Sequence, residues 1–137
     1  MIDPSLPLQT AIFEALSAVG ALPVSVGGRV YDAPPQNAAT PYVSLGDCQV
    51  LPDKSGCIDG AECYPVIDVW STYNGYKEAK EIAAAILAKL DDKPENLVVS
   101  GFDVIVFELN TYQPLRDPDG ITRRVSITFR ALLSQTA

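Results

Sequence analysis

The side chains able to do chemistry here are carboxylates, lysines, tyrosines and three cysteines, because the sequence contains no histidine. That absence excludes Ser-His-Asp and Cys-His nucleophilic sites and any His-ligated metal. Cys48, Cys57 and Cys63 fall within sixteen residues. An odd number cannot all pair within one chain, and no Cys-x-x-Cys is present. A three-cysteine metal site would lack a nearby fourth ligand, so the expected state is three free thiols in a reducing compartment. Asp53 and Asp59 lack the alternating acids and terminal glutamate of a calcium loop. Gly27-Gly28 is followed by neither a lysine nor a helix start, which argues against a phosphate cradle. Asp47, Asp68, Asp103 and Glu108 lie on predicted strands, and two of them could form an acid–base pair. Their spacing puts no two in a shared cleft. We therefore expect no catalytic, cofactor or metal site, and no enzyme.

Seventeen acids against ten bases give a net charge of −7 over 137 residues. Phosphate neutralisation needs lysine and arginine in excess, so a generic nucleic-acid surface is not expected. The hydrophobic share of 47% and charged share of 20% are those of a folded domain. The length suits one domain spanning 1–137. No apolar stretch approaches the roughly 20 residues of a membrane-spanning helix, and Met1-Ile2-Asp3-Pro4 does not read as a signal peptide. The expectation is a soluble intracellular protein without membrane contact.

The elements that must position these side chains follow from periodicity. Leu8, Ile12, Ala15, Leu16 and Val19 line one helical face and predict a helix over 6–19, with Asp3 or Ser5 able to cap it. Residues 29–32 and 42–50 read as strands, Gly46 marking a bulge or a close backbone approach. Residues 51–62 carry Pro, Asp, Ser and two glycines and read as a loop. Residues 63–73 alternate, with Val66, Asp68, Trp70 and Thr72 opposite Ile67, Val69, Ser71 and Tyr73. Trp70 is expected in the core or against a helix. Asp68 is expected at a solvent face or bonded to an arginine. Tyr76, Ala79, Ile82, Ala83, Ile86, Leu87 and Leu90 predict a helix over 75–91, its other side laced with lysine and glutamate. Residues 102–112 alternate, placing Phe102, Val104, Val106 and Glu108 opposite Asp103, Ile105, Phe107 and Leu109. Residues 121–133 place Val125, Ile127 and Phe129 opposite Arg124, Ser126, Thr128 and Arg130, and Asp119-Gly120 turns these two strands into a hairpin. The order is α-β-β-β-α-β-β. It predicts an α+β fold: an antiparallel β-sheet with two helices packed on one face.

Three segments in this order carry a family likeness. Pro41-Tyr42-Val43-Ser44-Leu45-Gly46 opens a strand. Asp68-Val69-Trp70-Ser71 is followed by Gly75 and a Glu-bearing helix. Asp117-Pro118-Asp119-Gly120-Ile121-Thr122-Arg123-Arg124 runs into Phe129-Arg130. Together, over roughly Leu6 to Leu133, they resemble the tail-terminator or tail-completion family of long-tailed bacteriophages and gene transfer agents. The resemblance implies a structural virion protein of the tail, assembled in the host bacterial cytoplasm. It implies a homo-oligomer, a hexameric ring that caps the tail tube and stops its polymerisation. Its partners would be the tail-tube protein and the head-tail connector, with DNA passing through the lumen without specific binding.

A ring needs one patch that meets a different patch on the next subunit. Arg116, Arg123, Arg124 and Arg130 gather in the C-terminal hairpin, beside Asp117 and Asp119, and are the expected first patch. Carboxylates such as Asp47, Asp53 or Asp68 on the neighbour are the expected second. The cluster Cys48, Cys57 and Cys63 is not assigned by the family's pattern, and residues 51–62 would be the place for partner-specific variation. The alternative reading is a small-molecule or peptide binding module that uses the open sheet face.

Overall fold

The computed structural model describes residues 2–53 and 59–136. Helix α1 spans Ser5–Ser17, where Asp3 Oδ1 accepts the Ser5 N–H at 2.9 Å and so satisfies one otherwise orphaned donor of the first turn. Leu8, Ala11, Ile12, Ala15 and Leu16 form its buried stripe. A short 3₁₀ turn, Val24–Val26, leads to strand β1, Val30–Tyr31. Strands β2, Tyr42–Asp53, and β3, Gly60–Ser71, follow. Helix α2, Lys77–Leu90, buries Ala79, Ile82, Ala83, Ile86 and Leu90. A second 3₁₀ turn, Pro94–Asn96, precedes β4, Phe102–Arg116, and β5, Arg123–Gln135.

One five-stranded sheet has the order β1-β2-β3-β5-β4. The pairs β2–β3, β3–β5 and β4–β5 are antiparallel, as the alternating sequence required. The short edge strand differs from that expectation. β1 runs parallel to β2, because residues 32–41 carry the chain back before it enters the sheet. The fold is α+β in the expected order.

The core lies between the helices and one sheet face. Val43, Ile67, Val69, Val125, Ile127, Phe129, Ala131 and Leu133 supply the sheet side, all at most 1% exposed. Each fully buried Val, Leu, Ile or Phe side chain among them contributes roughly 1.5–3 kcal/mol. Phe107 and Phe129 stack at 4.8 Å between centroids.

Four further expectations are corrected. Val19, expected on the α1 stripe, lies beyond the helix end and is fully exposed. Residues 51–62 are not all loop: β2 continues to Asp53 and β3 begins at Gly60, so only the hairpin tip remains, and Lys54 to Ile58 lie outside the described residues. Gly60 makes this extension fit, since a Cβ there would lie 2.7 Å from the Leu133 carbonyl oxygen. The strict alternation expected along β4 is broken by register shifts between Val104 and Val106 and between Leu109 and Thr111. Val104 therefore faces the helices opposite Leu133, while Val106 sits opposite Leu132 on the other face. Trp70 is neither in the core nor against a helix; it shares the uncovered face with Asp68, and Val69 faces the helices instead. The bulge expected at Gly46 is present, as a register shift between Leu45 and Cys48.

Candidate interaction surface

Because both helices cover one face, the other face of the sheet is left without a layer over it. Alternation on β3 and β5 brings Glu62, Tyr64, Asp68, Trp70, Arg124 and Arg130 to it, and cross-strand register groups them into two clusters. At one end, Tyr31 and Tyr42 lie 5.7 Å apart and Tyr42 stacks on Trp70 at 6.1 Å. Arg124 lies over the Trp70 ring at 5.1 Å and pairs with Asp68 at 3.4 Å. The Trp70 indole N–H donates to Ser44 Oγ at 2.9 Å. Asp68 is thus ion-paired with an arginine, although Asp68 Oδ1 and Arg124 Nε share no hydrogen bond; pairing with an arginine is one of the two fates expected of a carboxylate on a central strand. The pair joins Arg124 and Asp68 of the same chain.

At the other end, Arg130 binds Glu62 through Nη2 at 2.8 Å and Nε at 2.9 Å, with Glu108 at 4.0 Å. The Tyr64 hydroxyl donates to the same Glu62 carboxylate at 3.0 Å. The hydrogen bond to Glu62 raises the Arg130 pKa above its ordinary value. Glu62 was hidden in the sequence, because the strand it occupies begins inside a stretch of loop-like composition.

The hairpin loop between β4 and β5 is built as a rigid tip. Asp119 accepts the N–H groups of Ile121 and Thr122, both at 2.8 Å, and the Thr122 hydroxyl at 2.7 Å. Those bonds, the hydroxyl's foremost, hold its carboxyl below the usual range. The Asp117 N–H donates to the Thr122 carbonyl, and the Asp117 carbonyl accepts from Gly120. Arg116 and Arg123 stand directly opposite each other, an unfavourable pairing of like charges. Arg123 eases it by folding back onto the carbonyls of the tip. It is 9% exposed, donates to the Gly120 and Ile121 carbonyls, and lies over the Tyr76 ring at 5.7 Å. The tip therefore presents exposed Arg116, Asp119 and Ile121 to solvent on a pinned backbone. Asp117 is half-buried beside them.

The structure thus separates the expected site residues. Arg116, Asp117 and Asp119 share the tip. Arg123 braces it from inside. Arg124 with Asp68 and Arg130 with Glu62 occupy the open face. Asp53 lies at the end of β2, beside the far hairpin, and Asp47 is exposed at the β2 bulge. Cys48 and Cys63 are free thiols on adjacent strands, and Cys57 lies outside the described residues. No three of Cys, Asp and Glu converge as a metal site among the described residues, and no described helix is long and apolar enough to cross a membrane.

Sequence reasoning also missed Asp91. It caps the outer edge of β4, where its carboxylate accepts the Leu109 N–H at 2.8 Å while the Asp92 N–H donates to the Phe107 carbonyl at 2.9 Å. The only sequence signal was two acids at a helix end, where the helix dipole favours bases.

Comparison with known proteins agrees with this architecture along the whole chain. The family model described as tail completion protein gp17 matches residues 10–134. A chain of the virion of a native gene transfer agent particle is 31% identical. It aligns over 98% of this chain and 99% of its own, with a TM-score of 0.88. The bacteriophage SPP1 gp17 protein is 28% identical over 93% of this chain and 88% of its own, with a TM-score of 0.63. No curated protein sequence matches.

Proposed function

This chain belongs to the tail completion protein gp17 family, and from that membership we propose that it ends the tail tube of a phage-type particle. It is a structural tail protein of a phage or gene transfer agent virion. The finer reading is a ring, six subunits in the fullest form, that caps the tube, stops its polymerisation and joins it to the head connector. The observation that carries this reading is the end-to-end match to a chain of the gene transfer agent virion.

The geometry supports it in two ways. The subunit has two unlike sides, a helical side and an uncovered sheet side, and a rigid hairpin tip at one end. Such asymmetry suits head-to-tail contacts that close a ring. The net charge of −7 suits a passage through which DNA slides without being held. We assign the tip, with Arg116, Asp117, Asp119 and Ile121, to the subunit or tube contact. Arg124, Arg130 and Asp68 already have partners within the chain and contribute by stiffening the sheet.

The test is genetic. Particles made without this gene should show overlong tails or tails unjoined to filled heads by electron microscopy. Tails of normal length on DNA-filled heads would overturn the reading.

A further inference from the structure

The two edges of the sheet are treated differently. The β4 edge is occupied at its middle, where Asp91 and Asp92 take the outward Leu109 N–H and Phe107 carbonyl; register shifts interrupt the strand twice, and Pro114 lacks an N–H in the remaining stretch. These are devices by which proteins prevent an edge from pairing. Among the described residues the β2 edge is covered where β1 meets it, at Val43 and Ser44, and its one register shift lies at the near end of the uncovered stretch, between Leu45 and Cys48. From Gly46 to Leu51 the described residues form no backbone hydrogen bond outside the β2–β3 ladder. Pro52 is tolerated in β2 where its missing N–H faces outward. The same parity turns the Cys48 and Val50 N–H groups outward, spaced as an added strand requires. No lysine stands on this stretch to blunt it.

We propose that the Gly46–Leu51 edge of β2 receives an extended segment from a different virion protein, which becomes a sixth strand of the sheet. A second copy joined head-to-tail is disfavoured, because the other long edge among the described residues, β4, is occupied at Phe107 and Leu109 and carries Pro114 beyond them. Charge sets its chemistry. Asp3 and Asp47 are exposed around this edge and, among the described residues, neither has a salt-bridge partner. The segment is therefore extended and carries lysine or arginine. Beside the edge, a cleft of about 20 Å³ between α1 and β2, lined by Leu8, Ile12, Leu45, Gly46 and Cys48, receives at most a small apolar group. This inference rests on the reading of the chain as a virion component.

The experiment compares amide hydrogen exchange in the isolated protein and in purified particles, after mass spectrometry establishes that the particles contain the chain. Absence from particles would defeat the virion reading. Given its presence, Cys48 and Val50 should exchange at least tenfold more slowly in particles, with Gln49 and Leu51 little changed. Unchanged exchange at Cys48 and Val50 would overturn the proposal. A photo-crosslinking residue at Gln49 should then capture a basic segment of another virion protein. Capture of a second copy of this chain, or of nothing, would overturn it equally.

Discussion

Gly60 shows how a single residue sets the geometry of the β2–β3 hairpin. A methyl group there meets backbone, the Leu133 carbonyl at 2.7 Å, and no flexible side chain can yield. Gly60→Ala should destabilise the fold by about 1–3 kcal/mol, the usual cost of forcing atoms into a packed site, measured by denaturant unfolding. The two described cysteines should behave unequally. The neighbouring Cys63 thiol lowers the Cys48 pKa, while Cys48 beside it and burial raise the Cys63 pKa. Cys48 is half-buried and Cys63 fully buried. In the native protein a thiol reagent should therefore modify Cys48 first, with a rate that climbs at lower pH than for an ordinary thiol; peptide mapping after a timed quench reads this out. Asp119 has its folded-state pKa depressed. Its contribution is present above the unfolded-state value and is lost as pH falls through the lowered folded one. Amide protection at Ile121 and Thr122 should persist to a pH below the ordinary carboxylate range and then collapse. In Asp119→Ala it should be absent at neutral pH.

At the scale of elements, the long outer strand β4 depends on the end of α2. Asp91 follows the last helical residue and spends its carboxylate on the Leu109 N–H. Asp91→Ala should cost about 1–3 kcal/mol, since it leaves a partly buried donor unpaired. It should also reopen the edge, so that the variant self-associates at concentrations where the parent chain does not. Light scattering beside thermal unfolding separates the two effects. The hairpin loop follows the same logic, with Arg123 satisfying carbonyls that the tight turn would otherwise leave bare. Replacing Arg123 would therefore damage the loop itself. Arg116 is the arginine with which to probe assembly.

For the whole molecule, the ring reading predicts that Arg116→Glu leaves unfolding unchanged within about 0.5 kcal/mol, as for exposed positions generally, yet impairs tail joining. Electron microscopy of particles carrying the variant should show free tails beside filled heads. Intact particles in normal numbers would remove Arg116 from the contact.

Much of this protein was written in local pattern. The stripes of α1 and α2, the alternation of β3 and β5 and the Asp119-Gly120 turn each follow from spacing along the chain, because helix and strand periods fix which side chains share a face. The composition likewise excluded histidine chemistry. What the sequence left open depended on residues far apart. The phase of β4 turned on bulges that only its register with β5 defines. The side taken by Trp70 was settled by which face of the sheet the helices cover. Asp68 and Arg124 are fifty-six positions apart, and Glu62 and Arg130 sixty-eight, so neither pair exists until β3 and β5 lie side by side. The edge states were the least legible. An open or closed edge is a property of backbone groups, which every residue carries alike, and only the arrangement of β1 and the end of α2 around the finished sheet decides which of them are left unpaired.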